Sequence, residues 1–135
     1  SKSDISDYSR IMLTDDADNI IKKIRKAKTD PHPIPEKIDE AKKRPEVLNL
    51  LNIYSALNES SIEKVIQQYS GQDFVLFKKD LSELIIEKLT PIRLEIKKLM
   101  GDYDYLDEIM NKGKEKATSV AGPVLKKVHD IVGFL

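Results

Sequence analysis

The chain has no cysteine and no tryptophan, only two histidines and five glycines, and no excess of charge of either sign. Each scarcity removes a class of chemistry. Without cysteine there are no disulfides, no thiolate nucleophile and no cysteine-ligated zinc, and the composition agrees with a reducing compartment. His32 and His129 lie far apart in sequence, in no metal-ligand spacing and beside no nucleophile, so neither a metal site nor histidine-centred catalysis is expected. The glycines are scattered, and none carries a predicted strand into a helix as a phosphate cradle requires. Basic and acidic residues number 23 each, so there is no general field for nucleic acid or anionic lipid, and any such binding must come from local patches. No apolar run approaches the roughly 18 to 20 residues that cross a bilayer, and the chain opens with neither a basic leader nor an apolar signal core. No membrane partner is expected, and the reading is cytoplasmic.

What is present favours helices. A chain of 135 residues with 40% hydrophobic content can bury one core, and its wealth of Ile, Leu, Lys and Glu points to an all-α fold. Residues 1–14 show no helical period and read as a connector. Asp15, Asp16 and Asp18 precede Lys22, Lys23, Arg25, Lys26 and Lys28, the polarity that suits a helix dipole, with Ile20, Ile21, Ile24 and Ala27 as the buried stripe. Pro31, Pro33 and Pro35 fix three backbone angles and remove three donors, so residues 29–43 read as an extended, largely surface loop. Pro45 suits the first position of a second helix that buries Val47, Leu48, Leu50, Leu51, Tyr54 and Leu57. Ser60 and Glu63 form a capping-box pattern for a third, closed by Gly71.

From Phe74 to Met100 a helical period persists, and Pro91 should kink it or mark two helices meeting at Thr90. A short helix with Leu106, Ile109 and Met110 is expected before Gly113, then a last one over 114–132 with a second kink at Gly122-Pro123. The prediction is a bundle of five or six helices with a proline-rich loop near residues 29–44.

Carboxylate neighbours such as Asp102 with Asp104 are better explained as helix caps than as acid and base groups. The basic clusters at 22–28, Lys42-Lys43-Arg44, Lys78-Lys79 and Lys97-Lys98 can neutralise phosphates, with solvated helix ends as the competing explanation. Tyr54 and Tyr69 fall on apolar faces, whereas Tyr103 and Tyr105 read as accessible.

Several blocks in order carry a resemblance. Ser1-Lys2-Ser3-Asp4 looks like the tail of a Lys-Met-Ser-Lys-Ser signature, and Ala27-Lys28-Thr29-Asp30 like an Ala-x-Thr-Asp helix ending. Arg44-Pro45-Glu46-Val47-Leu48-Asn49-Leu50-Leu51-Asn52-Ile53-Tyr54 is the most specific block. Phe77-Lys78-Lys79-Asp80-Leu81, Leu89-Thr90-Pro91-Ile92 and Gly113-Lys114-Glu115-Lys116-Ala117 follow at fitting spacing. Together they resemble the C-terminal part of a bacterial-type tryptophanyl-tRNA synthetase, a class I aminoacyl-tRNA synthetase. Gln72-Asp73-Phe74-Val75-Leu76 departs from the glycine-rich turn common there, and the form of the proline loop is similar to the alphaproteobacterial branch.

The resemblance implies a parent enzyme that activates tryptophan with ATP and magnesium, charges the tRNA for tryptophan, and dimerises through a nucleotide-binding domain outside these residues. Ser1, Lys2 and Ser3 would be the remnant of its ATP phosphate loop, with Lys2 stabilising phosphate charge in the intact parent only. Residues 1–14 would be that remnant and its connector, and 15–135 the helical anticodon-binding domain. The chain by itself is then expected to hold no cofactor and to lack catalysis. Unpaired anticodon bases offer polar edges and stacking faces. Lys26, Lys28, Thr29, Asp30 and Arg44, with Lys78 and Lys79, are the tRNA-contacting candidates. The alternative from another class is a free-standing helical adaptor that grips a protein partner along an apolar groove.

Overall fold

The computed structural model describes residues 4–133, and all of its regular elements are helical, in agreement with the all-α expectation. A 3-10 turn, Asp7–Ser9, precedes α1 (Ala17–Lys26), α2 (Ile38–Ala41), α3 (Pro45–Leu57), α4 (Ile62–Tyr69), α5 (Phe74–Met100) and α6 (Tyr103–Val132). The chain divides into two compact units, Ser1–Leu94 and Glu95–Leu135, with the division inside α5.

In the first unit the helix starts follow from their caps. Asp16 accepts a hydrogen bond from the Asn19 amide at 2.8 Å, which satisfies one of the free donors of α1 and sets a carboxylate at its positive end. Asp15, one residue earlier, is used differently. It accepts from Lys23 Nζ at 2.5 Å and from the Met12 amide at 2.9 Å, and both side chains of the ion pair are almost buried. Burial alone would raise the Asp15 carboxyl, but the Lys23 ammonium and the Met12 amide overcome it and hold the pKa below the ordinary value. Pro45 opens α3 as expected. At α4 the cap is Ser61 rather than Ser60, because the Ser60 carbonyl is occupied by the Ser55 hydroxyl at 2.5 Å.

The core joins Ile20 and Ile24 of α1, Val47, Leu50 and Leu51 of α3, Val65 and Ile66 of α4, and Phe77, Leu81 and Ile85 of α5. Tyr54, Tyr69 and Phe77 meet at its centre, with Tyr69 edge-on to Tyr54 at 5.4 Å and to Phe77 at 5.0 Å. Tyr69 donates to Asp80 Oδ2 at 2.8 Å, and its hydroxyl oxygen lies 3.0 Å from that of Tyr54. A phenol has one proton to give, so Tyr54 supplies the hydrogen of the second contact. Burial, and then these two partners, push the Tyr69 hydroxyl pKa far up.

Three further sequence expectations are corrected in this unit. Residues 29–43 are not a surface loop throughout: Ile34 is 1% exposed, Pro35 is buried, and α2 lies within the stretch with Ala41 inward. Between two prolines, Ile34 keeps its own amide, which donates to the Gln72 carbonyl at 2.9 Å, while Gly71 donates back to the Ile34 carbonyl at 3.0 Å. Gly71 can do so because its φ of 72° lies in the left-handed region, where a Cβ is strained. Ile21 does not belong to the buried stripe and is exposed. Its i, i+3 spacing to Ile24 satisfied the period, but the face that packs is Ile20 and Ile24. Finally, no junction falls at Thr90, for α5 is continuous through Pro91, and the Thr90 hydroxyl donates to the Ile86 carbonyl at 2.6 Å.

The second unit consists of the end of α5 and the whole of α6. Asp102 caps α6 by accepting from the Tyr105 amide at 3.0 Å, and Gly133, with φ 75°, closes it in the left-handed region. The two helices expected on either side of Gly113 are one. A glycine inside a helix costs about 1 kcal/mol relative to alanine, which the good helix formers around it can bear. No residue of α6 is buried, and Val120, Val124, Leu125 and Val128 form an exposed apolar stripe.

Candidate nucleic-acid interface

The segment that follows α1 is pinned from two sides. Lys78, in the second turn of α5, donates to the Ala27 carbonyl at 2.7 Å and to Thr29 Oγ1 at 3.1 Å. Burial lowers the pKa of its ammonium. Arg44, at the N-cap of α3, holds Asp30 in a two-pronged pair, Nε to Oδ2 at 2.7 Å and Nη2 to Oδ1 at 2.6 Å. The same guanidinium donates to the Pro33 carbonyl at 2.8 Å and the His32 carbonyl at 3.1 Å. Asp30 also accepts from the His32 amide at 3.0 Å. The Arg44 bonds lead in holding the Asp30 carboxyl below the usual carboxylate range, against some desolvation.

The seven candidates for RNA contact therefore divide. Asp30, Arg44 and Lys78 spend their bonds inside the protein, and Thr29 is half-buried beside Lys78. Lys26, Lys28 and Lys79 are exposed: Lys26 lies 3.8 Å over the Tyr8 ring, while Lys28 and Lys79 make only long ion pairs to Glu46 at 3.5 Å and Glu83 at 3.9 Å. The sequence could not separate the cations that brace the fold from those that stay exposed. A cation's carbonyl partner 51 positions away, as Ala27 is from Lys78, leaves no local signal.

Between α1 and the first turns of α5 lies a cleft of about 650 Å³. Ile21, Phe74 and Val75 give it apolar walls, with Arg25, Lys78 and Lys79 at its sides together with Glu83. Ile21, Arg25 and Val75 were not among the candidates. The one available signal was Val75, an apolar residue off the Phe74, Phe77, Leu81 period.

Ser1, Lys2 and Ser3 lie outside the described residues. Among the described residues there is no group of three or more His, Asp or Glu side chains placed to hold a metal ion. No described helix is long and apolar enough to cross a membrane.

Residues 1–90 match the family described as tRNA synthetases class I (W and Y). Over 135 residues the chain is 50% identical to the tryptophan–tRNA ligase of Rhizobium meliloti, covering 100% of this chain and 38% of that protein. It is equally, 50%, identical to the ligase of Rickettsia conorii, covering 100% of this chain and 40% of that one. The crystal structure of tryptophanyl-tRNA synthetase from Mycoplasma pneumoniae matches with a TM-score of 0.67 at 25% identity, covering 98% of this chain and 41% of that chain. The chain thus spans about two fifths of the length of the relatives it matches. Agreement along the whole chain takes away the ground for a free-standing adaptor. On the family match and on this identity, the chain belongs to the class I tRNA synthetases of the W and Y type.

Proposed function

We propose that this chain is the helical, tRNA-binding part of a tryptophan–tRNA ligase, and that it meets the anticodon region through the end of α1, the loop after it and the start of α5. The observation that carries the reading is the identity of 50% with a tryptophan–tRNA ligase over every residue of the chain. The exposed ammonium groups of Lys26, Lys28 and Lys79 support the location, since they stand at the surface of one segment and its neighbour and hold only exposed partners. They contact phosphate, while Asp30, Arg44 and Lys78 hold the surface in shape. Activation of tryptophan with ATP and magnesium belongs to the part of the relatives that this chain does not span, together with the dimer contacts. Lys2 and its neighbours Ser1 and Ser3 act on the ATP phosphates only in that setting. Such an enzyme works in the cytoplasm.

The test has two readings. Purified chain should bind a transcript of the tryptophan tRNA, with affinity that falls as salt rises, by a slope of about 0.7 to 0.9 per neutralised phosphate. It should not exchange pyrophosphate with ATP in the presence of tryptophan. Equal affinity for a transcript with a scrambled anticodon removes the anticodon from the proposal, and pyrophosphate exchange by pure chain removes the division of labour.

A further inference from the structure

Residues 4–9 hold a defined path without burying a side chain. Their 3-10 turn, Asp7–Ser9, contains no buried residue, so polar bonds rather than apolar packing must fix them. Three of these bonds close over two or three positions: the Ser6 amide donates to Asp4 Oδ1 at 2.7 Å, the Tyr8 amide to Ser6 Oγ at 3.3 Å, and the Ser9 hydroxyl to the Ser6 carbonyl at 2.9 Å. Bonds so local shape the turn but leave it free to swing as a piece. Arg10 reaches further. Its Nη1 donates to the Asp4 carbonyl at 2.8 Å, six residues back, and its Nη2 to Asp7 Oδ1 at 2.5 Å. The guanidinium is half-buried where Asp7 is exposed, and the next residue, Ile11, packs against the hydrophobic core. Arg10 thus ties the main chain at Asp4 to the body of the first unit, while Lys26, 3.8 Å over the Tyr8 ring, seats the intervening turn on α1.

We propose that Arg10 is a positioning residue for the activation of tryptophan: by holding the Asp4 main chain it sets where Lys2, two residues earlier, meets the ATP phosphates. The assignment rests on the role given to Lys2 above and adds a residue that lies outside the Lys-Met-Ser-Lys-Ser signature. As pyrophosphate leaves, negative charge gathers on the phosphate oxygens, and an ammonium stabilises it fully only when held in place. A displacement of about 1 Å can cost on the order of a hundredfold in rate, so an anchor close to the lysine matters although it touches no substrate. Arg10→Lys keeps the charge but replaces a fork with a single point, which can serve the Asp4 carbonyl or the Asp7 carboxylate less well than a guanidinium serves both.

The test uses the full-length ligase that carries this chain, as wild type and with Arg10→Ala, Arg10→Lys, Lys2→Ala and the Lys2→Ala, Arg10→Ala pair. In pyrophosphate exchange, Arg10→Ala should lower kcat about tenfold and leave the KM for tryptophan unchanged, the pattern of an interaction used in the transition state alone. Arg10→Lys should recover part of the loss. In the Lys2→Ala background Arg10→Ala should cost nothing further, since it acts through that lysine. Amide exchange of the ligase without substrates, read by mass spectrometry, should quicken over residues 4–9 in Arg10→Ala and stay as in wild type across α1 and α3, with the thermal midpoint unchanged. An unaltered kcat in Arg10→Ala, a loss that adds to that of Lys2→Ala, or a loss that follows a lowered thermal midpoint each overturns the positioning role and leaves the function proposed above in place. A wild-type ligase that exchanges no pyrophosphate, or one indifferent to Lys2→Ala, overturns the role proposed above for Lys2 and this inference with it.

Discussion

At the scale of single residues, the basic side chains of this protein fall into those that hold the fold and those that face solvent, and the difference is one of partners. Lys23 and Lys26 stand one turn apart on α1, yet Lys23 is 8% exposed on Asp15 while Lys26 covers a tyrosine ring at the surface. The Asp15 pair has a pH signature. Its folded pKa is depressed, so its contribution is complete above the unfolded value of about 3.9 and is lost as pH falls through the lower folded value. Asp15→Asn should therefore cost about 1 to 3 kcal/mol at neutral pH, with the gap to wild type closing only below about pH 4 in urea unfolding curves. A gap that stays constant to pH 2 would refute the ion pair as its source. Charge polarity along α1 was legible in the sequence, and so was the Asp102 cap of α6. Which lysine is buried was not: spacing puts Lys23 on the face of Ile20 and Ile24, but its partner Asp15 comes within reach only when the connector folds back.

Among the elements, α5 shows how tertiary context overrides a local rule. Pro91 withdraws a donor from the Glu87 carbonyl, yet the helix runs on, since residues on both sides keep their helical period. The cost remains stored in the helix. Pro91 is exposed, so Pro91→Ala restores the bond without disturbing the core. About 3 kcal/mol of helix gain, less the roughly 0.4 to 1 kcal/mol by which proline restrains the unfolded chain, leaves a stabilisation of about 2 kcal/mol. A thermal midpoint unchanged or lowered by the substitution would show that the helix has already relaxed around the ring. The same reasoning explains the misplaced boundary at Gly113. Glycine and proline punctuate a sequence where the flanking residues are weak helix formers, and around Gly113 the strong formers Lys112, Lys114 and Glu115 outweigh Asn111 in a run capped at both ends by Asp102 and Gly133.

Taken as a whole, the molecule consists of a unit with a core and a unit without one. Among the described residues the fifteen that form the hydrophobic core all lie before Leu94, and α6 contributes none. Local opening free energy follows burial. Amide exchange of the isolated chain should accordingly be slow in α3, α4 and the first half of α5 and faster by orders of magnitude throughout α6. Equal protection of α6 would mean that its apolar stripe is covered in solution. The bond between Ile34 and the turn at Gly71 has a different kind of consequence. It closes the neck of a lobe that contains α2, α3 and α4, and it does so with main-chain atoms alone. Such a clasp carries no side-chain identity beyond the glycine, so descendants of this chain are free to rewrite the prolines around Ile34 and to lengthen or shorten the lobe's outer turns while it still closes at the same point.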